Sequence, residues 1–399
     1  MLVGKAKATT EDTEDTEERQ NLPSGSVAGT KLRHAPRVLI AGGGTGGHAI
    51  PALAIAEAIQ RRSAEATVLF VGTARGVESR VVPKAGFDLE QISVISLSRS
   101  LNASLILFPF VLLKGIAESL GVLRGFKPDL TICTGGYVSG PVGLAAAMLG
   151  IPLAIHDSNV LPGITLRVLS RAASLVMLGF EDATRKVGGS AQAVVGNPTR
   201  IAKEDVGREA AREAFGLSRD RKTLLVVGGS QGARSIKNAV RDALPQLMDA
   251  EVQVVWQTGP LDYDDRSRDA EPYGDRVSTV AFIDDMPTAY RAADLAVTRG
   301  GAMTIAELNL YGIPAILVPL ATASENHQEL NARAMERAGW AKMILQRDIN
   351  GETLGQSVSA LMGDGVGLAH MSEKSASRGV GDAADRIVDT LASQDLIRL

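Results

Sequence analysis

Twice in this chain an apolar run ends in glycines and opens into a helical pattern: RVLIAGGGTGGHAIPALAIAEAIQRR from Arg37, and TLLVVGGSQGARSIKNAVRDAL from Thr223. Strand, glycine turn, helix is the sequence form of a parallel sheet with crossover helices. Further short apolar runs follow each copy: TVLFVGT, DLTICTGG and IPLAIHD in the first half, VQVVWQTG, VSTVAFID, LAVTRGG and PAILVPL in the second. The glycine loops start at Gly42 and Gly228, too far apart for a solenoid repeat and about one domain's length from each other. The expected fold is therefore α/β, with two Rossmann-like domains. The break between them falls in VVGNPTR, where Asn197-Pro198 interrupts regular structure. This gives an acidic tail over 1–35, a first domain over 36–197 and a second over 198–399, whose last helix is free to return to the first. Open parallel sheets bind ligands beyond the carboxyl ends of their strands, so the site is expected in an interdomain cleft.

Composition removes several classes of function. The 399 residues carry 42 basic and 45 acidic side chains, a formal charge of −3, so there is no general basic field for nucleic acid. A single cysteine, Cys133, excludes an internal disulfide framework and a cysteine zinc cluster. The opening TTEDTEDTEERQ has no apolar periodicity to offset its ordering entropy, so a disordered tail is expected, and it lacks the core of a secretory signal. The longest apolar run, LILFPFVLL, falls well short of the roughly 20 residues a spanning helix needs.

The first loop matches G-x-G-x-x-G through Gly42, Gly44 and Gly47, but the second strand ends in Gly72-Thr73 rather than the acid that would hold a nicotinamide ribose. A dehydrogenase is thereby disfavoured, and the loop amides are expected to meet another oxygen-rich or anionic ligand. His48 lies at the first turn of the following helix, where the dipole disfavours an imidazolium and leaves a neutral ring able to act as a base. In the second half Gly228-Gly229 with Ser230, as N-cap of a helix from about Ala233, forms a candidate diphosphate cradle. RGGAMTIAEL is a third such loop, and Glu307 in its helix is placed to accept hydrogen bonds from a ribose diol. TGGYVSGP and HDSN end two more strands, with Tyr137 and Asn159 as sugar-hydroxyl partners and Asp157 as a second proton acceptor or an orienting group. The D-x-D triplet in LDYDDRSRD is read as part of a solvated loop and not a metal site, and no metal or other cofactor is expected.

Taken in order, GGGTGGH, TGGYVSGP, HDSN, VVGNPTR, GGSQGAR, FIDDM, GGAMTIAEL and ASENHQELNA resemble the MurG family of peptidoglycan glycosyltransferases, from about Arg37 to the C-terminus. The resemblance implies the GT-B fold and inverting, metal-independent transfer of N-acetylglucosamine from UDP to the 4-hydroxyl of the muramyl sugar of lipid I, giving lipid II. It implies that Thr45, Gly46, Gly47 and Asn159 face the donor's sugar. Arg200, Ser230, Ile283 and Ala302, Met303, Thr304, Ile305, Ala306 and Glu307 would serve the nucleotide, with Gln328 reaching the N-acetylglucosamine. His48 is the implied base. Where the family has glutamate-glutamine this chain has Asp157-Ser158, a carboxylate one methylene shorter.

The same resemblance places the protein peripherally on the cytoplasmic face of the bacterial membrane, in contact with lipid I and with other cell-wall or division proteins. The stretch from Ser98 to Lys127 mixes Leu, Ile and Phe with Arg99, Lys114, Arg124 and Lys127, a composition suited to an anionic interface. The rival readings are a GT-B transferase with another acceptor, and a nucleotide-sugar binding protein that would lose nothing on His48→Ala.

Overall fold

The computed structural model describes residues 35–94, 103–189, 191–201, 206–229 and 233–399, with the side chains of 103–107 excluded. The expected acidic tail thus lies, but for Ala35, outside the described residues, as do Ser98–Asn102 of the apolar-basic stretch.

Among the described residues, thirteen strands form two sheets. The first contains β1 (Arg37–Gly42), β2 (Thr67–Gly72), β3 (Asp88–Gln91), β4 (Leu130–Gly135), β5 (Leu153–Asp157), β6 (Leu175–Leu178) and β7 (Gln192–Val194) in the order β3-β2-β1-β4-β5-β6-β7. The second contains β8 (Thr223–Val227), β9 (Gln253–Gln257), β10 (Val277–Val280), β11 (Leu295–Thr298), β12 (Ala315–Leu317) and β13 (Ala341–Met343) in the order β10-β9-β8-β11-β12-β13. Strand pairs are parallel throughout, and β1 carries the register of its sheet, Val38 facing Val68 on one side and Leu130 on the other. Each half therefore winds outward from its first strand in both directions, which puts a topological switch point between β1 and β4 and another between β8 and β11.

Both faces of each sheet are covered, which is why the strands read as nearly unbroken apolar runs. Leu39, Ala41, Cys133 and Ile155 pack on one face of the first sheet, and Val38, Ile40, Phe70 and Ile132 on the other. The latter face is completed from the end of the chain: Ile387, Val388 and Leu391 of the helix Ala383–Ser393, with Ile397, pack beside Ile55 and Ile59. Arg61 and Arg62 pair with Asp385 and Asp389 along the rim of that contact.

One sequence expectation is corrected. Tyr263–Ala270 is a helix and not a solvated loop. Asp264 and Asp265 lie in its first turn, where the dipole favours acids, and Asp265 pairs with Arg268 three residues on. Asp262, at its N-cap position, is bound to the buried Lys237, while Asp264 of the D-x-D triplet is exposed. Among the described residues no cluster of metal-ligating side chains occurs. No described helix is long and apolar enough to cross a membrane.

Candidate active site

Of the five glycines in the opening loop, three are required by the protein itself. A side chain on Gly42 would occupy the place of the Thr134 hydroxyl, and one on Gly43 would lie inside the Glu78 carboxylate. Gly44 has φ +84°, a conformation that glycine adopts without steric cost. Gly46 faces open space, and Gly47 has only the Thr45 hydroxyl at an ordinary contact distance. The open end of the loop is thus Thr45–Gly47. Thr45 is the N-cap of the helix Gly46–Arg62, yet its exposed side chain makes no capping bond, so the hydroxyl is available to a ligand.

His48 is locked from behind. Its Nδ1 lies 3.1 Å from the Thr134 carbonyl oxygen, while the Thr134 hydroxyl donates to the His48 carbonyl at 2.9 Å. A carbonyl only accepts, so Nδ1 carries the proton and the neutral ring presents Nε2 as an acceptor. Gly135, at φ +106°, lies against the ring where any side chain would collide with Nδ1. Burial pulls the His48 pKa below the ordinary histidine value. The Thr134 carbonyl opposes this, His327 lowers it further and the Glu78 carboxylate raises it. The ring is thus held neutral, as a base needs.

Beside this loop lies a cavity of about 660 Å³, lined by Gly44, Thr73, Arg75, Gly76, Lys114 and Tyr137 among others. Tyr137 is therefore placed with the first-half loops, together with two cations.

Asp157, expected as a second proton acceptor or an orienting group, is bonded within its own loop. It is 3% exposed, and its oxygens accept from the Asn159 amide at 2.9 Å and the Gly163 amide at 2.9 Å. Burial pushes its pKa up to about 6 against these bonds. A carboxylate so engaged holds the 157–163 loop. The adjacent His156 is fully buried, faces the Gly196 carbonyl at 3.0 Å, and is pushed by burial down to about 4, so it is a neutral structural residue.

The halves meet through a residue that sequence reasoning missed. Asn331 is fully buried, donates to Asn159 Oδ1 and to the Gly300 carbonyl, both at 3.1 Å, and accepts from the Val160 amide at 3.0 Å. It joins the loop after β5 to the helix start after β11. Glu325 adds a second tie, accepting from the Ile164 amide and from Arg167. Both lie in ASENHQELNA, but nothing in that string shows that its polar residues reach across to the other half. Gln328 Oε1 accepts from the Leu320 amide.

On the second-half side, the helix Ala302–Tyr311 starts after Gly301 with no side-chain cap. The amides of its first turn, Ala302 to Thr304, therefore have no intrahelical acceptor. Ile305 is buried in the core, so any part it plays is through its backbone. Glu307 accepts from the Tyr290 hydroxyl at 2.7 Å, and burial pushes its carboxyl up to about 7. Ile283 is also a core residue, and its amide donates to Gln257 Oε1, while Gln257 Nε2 donates to the Gly229 carbonyl. Gln257, also unanticipated, thus pins two of the expected nucleotide loops together. The helix expected from about Ala233 is Arg234–Asp249 with Ala233 at its N-cap position, and Ser230, the expected cap, lies outside the described residues. Arg200, expected to serve the nucleotide, pairs its guanidinium with Glu57 on the first-half helix at 2.7 Å.

Comparison with known proteins agrees with this two-half layout. Residues 38–178 match the glycosyltransferase family 28 N-terminal domain, and residues 223–387 match the family's C-terminal domain. A curated UDP-N-acetylglucosamine–N-acetylmuramyl-(pentapeptide) pyrophosphoryl-undecaprenol N-acetylglucosamine transferase of Salinibacter ruber is 42% identical over 91% of this chain and 98% of its own length. One from Desulfitobacterium hafniense is 40% identical over 88% of this chain and 98% of its own. The crystal structure of Acinetobacter baumannii MurG superposes with a TM-score of 0.74 at 29% identity, covering 90% of this chain and 99% of that one. The chain belongs to the MurG family of glycosyltransferases and has their GT-B fold.

Proposed function

We propose that this enzyme transfers N-acetylglucosamine from UDP to the 4-hydroxyl of the N-acetylmuramyl sugar of undecaprenyl-linked lipid I, forming lipid II by a single inverting displacement. The observation that carries the chemistry is the fixed tautomer of His48, with Nδ1–H on the Thr134 carbonyl and Nε2 left as acceptor beside an open glycine wall. The names of the curated relatives supply the donor and the acceptor.

In this reading His48 Nε2 removes the proton of the acceptor hydroxyl as its oxygen bonds to C1 of the donor sugar. The bond from C1 to the β-phosphate oxygen breaks, and UDP departs with the electron pair. Thr45 and the bare Gly46-Gly47 backbone let both sugars approach. The uncapped amides of Ala302 to Thr304 meet the charge developing on the diphosphate, a preorganised arrangement that requires no metal. Glu307 takes the ribose hydroxyls, and Asn159, held by Asn331, is shared between the donor site and the interdomain tie. Residues 36–197 form the acceptor half and 198–399 the donor half, with the C-terminal helix lent back to the first.

The acceptor is lipid-linked, so the first half docks on the cytoplasmic face of the membrane. Support comes from Phe110 and Leu113 on the helix Ala103–Phe126, Met148 on Ser139–Met148, and Ile164 and Val168 on Ile164–Leu169, all exposed on successively packed helices, with Lys114 and Arg167 among them.

The test is disaccharide-lipid formation from UDP-N-acetylglucosamine and a short-chain lipid I analogue with a chelator present. Wild type turns over, and His48→Ala loses about 10²–10⁴-fold in kcat while keeping its UDP affinity. A wild type that binds UDP but makes no disaccharide-lipid would move the assignment to another acceptor.

A further inference from the structure

Glu78 is the most thoroughly enclosed acid in the first half. It is 0% exposed at the start of the helix Glu78–Lys84, and a methyl on Gly43 or Gly76 would overlap its carboxyl, one on Gly72 its γ-methylene. Among the described residues, no cation is a hydrogen-bond partner of Glu78. Oε2 accepts from the Gly44 amide at 2.7 Å, and Oε1 accepts from the Thr73 amide at 2.9 Å and the Thr73 hydroxyl at 2.8 Å. The Thr73 hydroxyl in turn accepts from the Gly76 amide at 3.0 Å. Burying a carboxylate is costly unless it is fully hydrogen-bonded, and here loop amides satisfy it. The first amide of a glycine-rich loop after a first strand ordinarily points at a ligand's phosphate. In this chain that amide is engaged by a side chain of the protein.

We propose that Glu78 is a positioning residue for the transfer reaction, clamping the Gly44 amide to the Thr73–Gly76 loop and so holding Thr45 to His48, and one wall of the adjoining cavity, in a single register before substrate arrives. The inference rests on the reading of His48 as the base. Gly44, Thr73 and Gly76 all line the cavity beside Tyr137, so the clamp joins the catalytic loop to that wall. The Glu78 carboxylate also favours the imidazolium of His48, a smaller influence than the burial that lowers the pKa of that ring. The other groups acting on that ring are the Thr134 carbonyl on β4 and His327 at the start of the helix His327–Arg337. Glu78 is the one acid among them.

The experiment compares Glu78→Gln and Glu78→Asp with wild type, counting UDP sites only on molecules whose first half resists limited proteolysis, so that each site counted belongs to an intact molecule. Glutamine keeps the size but sets an NH₂ against N–H donors; aspartate keeps the charge but falls one methylene short. In both variants kcat per UDP site is expected to fall by about ten- to a hundred-fold, the scale of a small misplacement of reacting groups, with UDP affinity unchanged. The acid limb of kcat/KM moves to lower pH in Glu78→Gln, because removing the negative charge disfavours the imidazolium, and stays in place in Glu78→Asp. A purely structural role predicts fewer UDP sites, each with wild-type kcat and the wild-type acid limb, and that result would overturn the proposal. Should Glu78→Gln not fold, Thr73→Val removes one of the three bonds and is expected to lower kcat several-fold; wild-type turnover per site there counts equally against the clamp. If His48→Ala proves fully active, the base assignment fails and the acid limb belongs elsewhere, whereas the fall in kcat still decides the clamp.

Discussion

At the end of β1 the first half closes its glycine loop on a side chain of its own, Glu78, whereas at the end of β11 the second half leaves the helix start at Gly301 with no side-chain cap. The strand order around the two switch points is the same. Glu78 thus takes the Gly44 amide of the first loop, whose open end offers shape, a hydroxyl and a histidine ahead of a helix start that also has no side-chain cap. The second loop, among the described residues, has no such internal acid on its amides and offers an uncapped helix start that suits a departing diphosphate. A repeated fold therefore does not imply a repeated ligand. The halves also differ in cover: the first takes its last helix from the far end of the chain, while the second is covered by helices drawn from its own span.

The largest expected effect lies inside the first loop, between Gly43 and Gly47. Gly43→Ala forces a methyl into the buried Glu78 carboxylate, an overpacking that costs about 1–3 kcal/mol and displaces the loop. Both Tm and turnover should drop, turnover by more than about a hundred-fold. Gly47→Ala meets only the Thr45 hydroxyl at 3.7 Å, and alanine suits a helix better than glycine by about 0.5–1 kcal/mol. Its Tm should hold or rise while the donor KM increases at least several-fold, because the space it fills is the ligand's. Thermal melts and steady-state kinetics on the pair decide this; an active Gly47→Ala, or a Gly43→Ala that melts with wild type, breaks the division of the loop into an internal and a ligand-facing part.

Much of this comparison is legible in the sequence, and what is not has a physical reason. The strands show because a sheet covered on both faces needs continuous apolar runs, and β1, β4, β5, β8 and β11 each end in the loops singled out beforehand. Thr45 to His48 and Ala302 to Glu307 are legible because glycine before a helical pattern marks a helix start. Glu78 is not: its partner Gly44 lies 34 residues away, and an acid at a helix start looks like a surface residue. Asn331 is hidden for the same reason, reaching Asn159 across 172 residues, and Gln257 works by joining two backbone loops. The helix Tyr263–Ala270 is masked because its charged residues show no apolar period, and local ion pairs with the helix dipole stand in for one.

A middle-sized effect is expected in the second half and depends on pH. Burial holds the Glu307 carboxyl at about 7, above its ordinary value, so the folded protein carries a proton there through mildly acid conditions. In the ribose-binding role proposed for Glu307, the ionised form would accept from both hydroxyls and the protonated form from fewer. UDP affinity should therefore strengthen by about five- to tenfold between about pH 6 and about pH 8, as the competent fraction grows. Calorimetric titration reads this without any chemistry at His48. Glu307→Gln should bind about tenfold more weakly at high pH with a flat profile; a pH-dependent Glu307→Gln would move the titrating group elsewhere and leave the second half without its ribose acceptor.

The smallest effect concerns the cover borrowed by the first half. Asp389 meets Arg62 at 2.9 Å with side chains 61% and 44% exposed, and Asp385 pairs with Arg61 and Arg62 at the same rim. Such pairs are screened by solvent and lose side-chain entropy when they form, so their net effect is near zero. Ile387, Val388 and Leu391 are instead fully buried among Ile55, Ile59 and Phe70, and that burial holds the helix in place. Asp385→Asn combined with Asp389→Asn should leave both Tm and turnover at wild-type values at low salt and at about 1 M salt alike. A clear drop in Tm at low salt that vanishes at high salt would mean that charge, and not apolar burial, attaches the end of the chain to the first half. The covers of the two halves would then differ in kind as well as in origin.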